Sequence, residues 1–372
     1  HICWNFLKRK EGNLRENGNI IIRGYDSRED GDLWMNIREE MEAKELEFLS
    51  PYAACSVNSR GRDKEETECD IRTAYQRDRD RILHSKSFRR MKDKTQVFLA
   101  AQGDHYRNRL THTLEVSQIA RTIAKALYLN VDLVEAIALG HDLGHTPFGH
   151  AGEKVLDRVC PLGFSHVSQS LRVAERLEKS GRGLNLTWEV RDGIINHRTS
   201  GKPHTLEGQV VRYSDKISYI HHDMDDAQRA GIISEDNIPI TLRMLLGENT
   251  KERLNTFVHD IVEHSRGKER ISMSPEIEEG LRDLRSLMFQ DVYLNPVAKS
   301  EEKKAEHVIE ELYTYYRKFP EKMSEEYQWL MEEGEPEERV VCDYISGMTD
   351  QYSLEKFKDI FIPKGWRGRV KR

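Results

Sequence analysis

Past residue 70, apolar side chains recur at steps of three and four along most of the chain, which limits the fold to helices packed on helices. Over 110–127 the apolar set is Val116, Ile119, Ala120, Ile123 and Leu127, one face of an amphipathic helix. Over 131–143, Val134, Ile137, Ala138 and His141 share a face, so a histidine lies in line with an apolar stripe. Further helices are expected over 166–179, 208–229, 251–264, 275–290, 301–318 and 322–332. Gly231 is a natural stop, and Pro239, Pro275, Pro296 and Pro320 fall between or at the starts of these segments. Strand-like patterning is confined to Ile20–Arg23 and a few residues near Val340. The expected class is all-α with minor β content.

A chain of 372 residues buries a substantial core without disulfides or structural zinc. The cysteines Cys3, Cys55, Cys69, Cys160 and Cys342 are scattered and form no CxxC pair, as in a reducing compartment. No apolar run approaches the roughly 18–20 residues of a membrane span, and His1–Lys10 lacks the apolar core of a secretory signal. The expected location is the cytoplasm. A formal net charge of -6 argues against a protein that coats nucleic acid, though not against a local basic patch. Residues 11–34 are rich in Gly, Asn and Asp without periodicity and read as loop. A helical pattern begins near Met35, so Met35 or Met41 is the expected natural start. The expected organisation is a flexible extension over 1–40, a core over 41–230, and a C-terminal helical region over 231–372 packed on that core.

The densest chemical signal is His141-Asp142-Leu143-Gly144-His145-Thr146-Pro147-Phe148-Gly149-His150. Imidazole and carboxylate together suit divalent ions. Adjacent His141 and Asp142 converge on one ion only where helix geometry relaxes, which Gly140 and Gly144 permit, and Pro147 forbids a simple continuation. His145, one turn beyond His141, is expected on the same side. Other ligands must come from other helices: His112 on the one before, Asp215 on a later one. Val211, Asp215, Tyr219 and Asp223 form a stripe at four-residue steps. A stripe that starts with Val211 is expected to face inward, where an uncompensated carboxylate costs on the order of several kcal/mol. Read alone, the histidines also suit a capped helix C-terminus and the stripe a solvated acidic face.

In order along the chain, His112, His141-Asp142 and Asp215 resemble the metal site of the HD superfamily. The segments around them narrow the likeness. QRDRDRILHSKSFRRMKDKTQ (76–96), RNRLTHTLEVSQIARTIA (107–124), ALGHDLGHTPFGHAGE (138–153), FSHVSQSLR (164–172), NLTWEVRDGIINH (185–197) and YSDKISYIHHD (213–223) resemble the bacterial dGTPase-like deoxynucleoside triphosphate triphosphohydrolases. The likeness covers residues 50–230; the C-terminal third is similar only in helical character and length. Alarmone hydrolases follow His-Asp with an acidic pair, whereas Leu143-Gly144-His145-Thr146 follow it here, and the Gly-Tyr-Pro signature of cyclic-dinucleotide HD enzymes is absent.

The resemblance implies an HD phosphohydrolase core that cleaves a deoxynucleoside triphosphate (dNTP) to deoxynucleoside and tripolyphosphate. It implies one divalent cation, Mn²⁺, Fe²⁺, Mg²⁺ or Ni²⁺, on His112, His141, Asp142 and Asp215. Catalytic roles fall on His145, His150, Glu153 and His166, with Glu153 standing where the vertebrate relative has aspartate. Either His150 or His166 protonates the leaving 5′ oxygen, and His145 orients water with Glu153. Arg109 and Lys216 hold phosphate oxygens. Tyr219 and Asp223 contact the deoxyribose, with Gln96 and Val97 near sugar and base. A tyrosine ring against C2′ leaves no room for a ribose hydroxyl, though Tyr219 reads equally as core packing. The basic run Arg77, Arg79, Arg81, Arg89, Arg90, Lys92 and Lys94 reads either as added field for the triphosphate or as an ordinary solvated helix face with Asp78, Asp80 and Asp93 interleaved. The implied partners are the dNTP substrate, further copies of the chain in a homo-oligomer, and a dNTP or single-stranded nucleic acid as effector. Two other readings stay open: another HD nucleotidase or phosphodiesterase, and a nucleic-acid-binding regulatory protein with a residual HD site. The basic residues near Arg89 and the tail Trp366–Arg372 sustain the latter.

Overall fold

A computed structural model describes residues 36–96, 107–294 and 296–364. Among them the chain forms helices and turns with no strand, and β pairing is limited to two isolated bridges, Arg62 with Thr187 and Thr95 with Asn108. The all-α class read from the sequence is the class observed. The strand-like Ile20–Arg23, Val97 and the basic tail Trp366–Arg372 lie outside the described residues. No described helix is long and apolar enough to cross a membrane.

Helices α1 (Ile37–Phe48), α2 (Ala74–Leu83) and α3 (Lys86–Arg90) lead into α4 (Arg109–Ala126) and α5 (Val131–Gly140). Asn36, Asn108 and Asn130 cap α1, α4 and α5, each side chain accepting a backbone N–H from the first turn. The expected stripe Val116, Ile119, Ala120 and Ile123 is the buried face of α4. Helix α5 packs against α2 and α4 and is buried from Ala136 to Gly140. Its terminal Gly140 sits in a tight gap: a Cβ there would lie 2.8 Å from Ile194 Cδ1 and 3.1 Å from Ile82 Cδ1. The glycine thus brings the end of α5, and the His-Asp pair after it, against the rest of the core.

Helices α6 (Gly149–Val159) and α7 (His166–Arg172) follow. The single helix expected over 166–179 is broken. A π-type turn spans Val173–Leu177, and the short α8 (Glu178–Gly181) contains Lys179 and Ser180 at left-handed φ of 53° and 54°. A tertiary bond overrides the local pattern: the Glu178 carboxylate accepts from Ser87 N at 2.8 Å and Ser87 Oγ at 2.7 Å, at the start of α3. Helices α9 (Trp188–Ile195) and α10 (Leu206–Arg229) come next. Helix α10 packs along α4 and α5, and Gly231 at φ 68° follows its C-cap, as its position in the sequence suggests. Helices α11 (Ile240–Leu246), α12 (Thr250–Ser265) and α13 (Pro275–Met288), with a π-type turn over Phe289–Tyr293, complete a first core that runs from Tyr75 to Val292.

A second core joins α6 to α14 (Pro296–Lys318), α15 (Glu325–Glu332), α16 (Glu337–Ser346) and α17 (Asp350–Phe361). It is built on Val155, Leu156, Ile309, Leu312, Val340 and Ile345, each side chain worth roughly 1.5–3 kcal/mol when removed from water. The strand-like reading near Val340 is corrected here: those residues form α16. Every residue from Val340 to Ser346 is buried, so no polar stripe marks the helical period. The turn from His141 to Phe148 links α5 of the first core to α6 of the second.

Candidate active site

Three helices of the first core bring together the first group of side chains. Helix α4 presents His112, the end of α5 presents His141 and Asp142, and the middle of α10 presents Asp215. His112 Nε2 lies 3.1 Å from Asp215 Oδ1, and His141 Nε2 lies 3.7 Å from the same oxygen and 3.5 Å from Asp142 Oδ2. His141 Nδ1 donates to the Ala138 carbonyl at 2.7 Å, which leaves Nε2 as a bare lone pair. That nitrogen is buried, has no hydrogen-bond partner, and faces two carboxylates. An acceptor aimed at acceptors is what a cation would satisfy, and His112, His141 and Asp142 each offer a ligand atom within 4.8 Å of the others. The donor set fits a divalent ion. Burial would raise the Asp142 pKa, but His141 and the Arg109 guanidinium hold it well below the usual range. Asp215 is likewise opposed by burial yet drawn down to about 2 by His112 and His141.

A second group lies beside the first. The chain leaves the helix at Gly140, and His145 is therefore not stacked over His141 as a continued helix would place it. Its ring instead stacks on His166 at 4.6 Å and meets His150 edge-on at 5.2 Å. Phe148 at φ 61° and Gly149 at φ 60° turn the backbone into α6, which carries His150 and Glu153. Glu153 accepts from His150 Nδ1 at 3.1 Å, from His166 Nδ1 at 2.9 Å and from Arg198 Nη2. Burial opposes ionisation of Glu153, but the two imidazoles hold its pKa far below the carboxylate range. Burial, reinforced by Arg109, pushes His145 well down, so its ring stays neutral. The His150 side chain is 78 % exposed while His145 and His166 are buried, so His150 is the member that an incoming ligand meets first.

The remaining sequence candidates divide. The Arg109 guanidinium pairs with Asp142 through Nη1 and donates to the Thr95 carbonyl through Nη2 at 3.2 Å, while its buried Nε lacks a partner. Gln96 precedes the undescribed stretch that holds Val97, and its Oε1 is buried without a partner. Tyr219 and Asp223 lie on α10 beyond Asp215. The Tyr219 hydroxyl is buried beside Arg285, and burial raises its pKa to about 12. Asp223 Oδ2 accepts from the Tyr293 hydroxyl; burial lifts Asp223 to about 8, and its Oδ1 is unpartnered. Lys216 does not join the histidines. It is half-buried toward α13, its pKa lowered by burial and held up by Glu278, with Arg285, Arg212 and Arg282 nearby.

Several residues in or beside the site escaped the sequence reading. His197 Nδ1 donates to the Ile194 carbonyl at 2.7 Å, and its ring lies 5.0 Å from that of His141. It forms a third cluster with Asp142 and His166, and burial lowers its pKa to about 4. It closes the quoted segment 185–197, but a lone histidine after a helix carried no assignment. Arg198, Arg285 and Tyr293 had no signal: each acts across a long stretch of chain.

Histidine and aspartate on α4, α5 and α10 of an all-helical core define an HD domain, and the HD domain family matches residues 109–220, which include all four of these residues. The phosphohydrolase-associated domain family matches residues 271–359. A deoxyguanosinetriphosphate triphosphohydrolase-like protein of Caldanaerobacter subterraneus subsp. tengcongensis is 57 % identical over 332 residues, covering 89 % of this chain and 98 % of the relative. Proteins described in the same words are 50 % identical in Clostridium perfringens strain 13, over 89 % of this chain and 99 % of the relative, and 47 % identical in Desulfatibacillum aliphaticivorans, over 88 % and 99 %. The chain belongs to this deoxyguanosinetriphosphate triphosphohydrolase-like family of HD-domain phosphohydrolases.

Proposed function

We propose that the protein hydrolyses dNTPs to deoxynucleoside and tripolyphosphate, using one divalent cation on His112, His141, Asp142 and Asp215. The observation that carries the reading is the buried, unpartnered His141 Nε2 facing two carboxylates, beside a histidine–glutamate cluster that handles protons. Bound there, a divalent cation supplies Lewis acidity at a phosphoryl oxygen and lowers the pKa of water. The chain's own groups do the rest. Arg109, at the edge of the metal group and with its buried Nε unpartnered, holds a phosphate oxygen. Lys216, the residue after Asp215 on α10, takes an outer phosphate oxygen. The neutral His145 ring accepts a hydrogen bond from the attacking water. His150, its side chain exposed and its Nδ1 held by Glu153, protonates the leaving 5′ oxygen; His166, buried beside it, keeps Glu153 in place. Tyr219 packs on C2′ and excludes ribose, while Asp223, oriented by Tyr293, receives the 3′-hydroxyl. Gln96 and Val97 stand nearest the sugar and base. Homo-oligomerisation and activation by a dNTP or single-stranded nucleic acid belong to the same reading.

The test is hydrolysis of each dNTP and NTP by metal-reconstituted protein, singly and in mixtures. The reading expects dNTPs to be consumed and NTPs spared, with discrimination relaxed in Tyr219→Ala. Equal turnover of ribonucleotides, or turnover of monophosphates or phosphodiesters alone, would replace it with another HD activity. Salt-sensitive nucleic-acid binding without hydrolysis would replace it with a regulatory role.

A further inference from the structure

We infer that the C-terminal helices position the reacting histidines through a strut made of Lys94, Thr95 and Asp350. The inference rests on the hydrolase reading above only for its kinetic arm. Lys94 is buried to 3 % exposure, and its amino group lies among backbone carbonyls rather than in a carboxylate pair; burial, with Arg90 nearby, lowers its pKa to about 7. Its Nζ donates to the His145 carbonyl at 2.5 Å and to the Ser346 carbonyl at 2.7 Å. One buried side chain thus ties the turn that carries the candidate catalytic histidines to the end of α16. The next residue repeats the connection. Thr95 donates from N at 2.9 Å and from Oγ1 to Asp350 Oδ2, and Asp350 Oδ1 accepts from Phe148 N at 2.9 Å. Phe148 is the left-handed residue that starts α6 and directs His150 and Glu153.

The same short segment also fixes Arg109. Its backbone N–H donates to the Lys94 carbonyl at 3.1 Å, and its Nη2 donates to the Thr95 carbonyl at 3.2 Å. Segment 94–96 is therefore wedged between the turn 145–149 and α16–α17, with no room to spare: a Cβ on Gly149 would come within 3.3 Å of the Gln96 carbonyl. Arg90 adds a bond to the Gly347 carbonyl at 2.9 Å. Neither Lys94 nor Asp350 touches the metal group, so both are positioning residues. Their partners, His145, Phe148 and Arg109, set where the imidazoles and the phosphate-binding guanidinium stand. Asp350 and Ser346 both lie in the stretch matched by the phosphohydrolase-associated domain, which gives that region a defined task at the site. Misplacing a reacting group by about 1 Å costs on the order of 10²-fold in rate.

The test compares the full-length wild type with Lys94→Met, which keeps the stem and removes the donors, and with Asp350→Asn. Thr95→Val is the milder variant should either fail to fold. The expected result is a kcat lowered roughly 10–100-fold with KM and bound-metal content unchanged. The double variant should be no slower than the worse single one, because both act on one turn. Hydrogen exchange should quicken over 141–150 by more than the accompanying loss of global stability accounts for. The exchange arm needs no substrate, so it decides the strut even if dNTP hydrolysis fails. Undiminished kcat with unchanged exchange over 141–150 would overturn the inference. So would a rate loss that tracks global unfolding and disappears on cooling, or loss of the bound metal.

Discussion

At the scale of single residues, the histidines differ in environment in the way the proposed roles require. His141 has its Nδ1 tied to a carbonyl and its Nε2 turned to carboxylates, the orientation of a ligand. His150 is exposed and bonded to Glu153, the orientation of a proton donor. His150→Gln should therefore lower kcat by roughly 10²–10⁴-fold, the usual contribution of a general acid, with bound metal unchanged by elemental analysis. Full activity would remove His150 from that role and leave His166 as the acid. Much of this was legible in the residues themselves. The residues from His141 to His150, with His112 and Asp215, stood out as candidates by residue type and order, and the structure brings them together in two adjoining groups. What the pattern could not give was direction: His145 was expected above His141, but α5 ends at Gly140 and the ring turns to His166.

At the scale of elements, the helices were legible wherever one face met water and the other the core. α4, α10, α12 and α13 follow their apolar spacing closely. The misreadings share one cause, tertiary contact outweighing local pattern. α16 is buried on all sides, and the helix after His166 breaks so that Glu178 can bond Ser87. A similar contact joins the starts of α5 and α10. Glu207, wholly buried, accepts the N–H groups of Ala54 and Asn130 at 3.0 Å each, and its Oε2 has no partner. Burial raises its pKa to about 7, against the opposing backbone bonds. The folded state thus prefers the neutral carboxyl. Its stabilisation is complete below the unfolded value of about 4.3 and is lost as pH rises through about 7. Urea melts should show Glu207→Gln with a flatter stability profile than the wild type between about pH 4 and 7. Parallel profiles would show that the carboxyl does not titrate as its burial demands.

At the scale of the whole molecule, the site is assembled from distant parts of the chain. Its first group joins α4, α5 and α10, and the C-terminal helices reach it through Asp350, Ser346 and Tyr293. The sequence carried the first part by family likeness over 50–230. The second part was hidden because the partners lie far apart along the chain, and no periodicity encodes such contacts. The proposed cation, held by residues of three helices, would bind the folded state alone. Saturation at 100 times Kd should then raise stability by about 2.7 kcal/mol, read as a higher melting temperature that a chelator reverses and that Asp215→Asn abolishes. An unchanged melting temperature would place the cation elsewhere. The most direct test of the central claim is hydrolysis of dGTP in H₂¹⁸O by the metal-loaded enzyme, with mass analysis of both products. Attack at the α-phosphorus predicts one ¹⁸O in tripolyphosphate and none in deoxyguanosine. Label in the nucleoside, or release of pyrophosphate with the monophosphate, would contradict it.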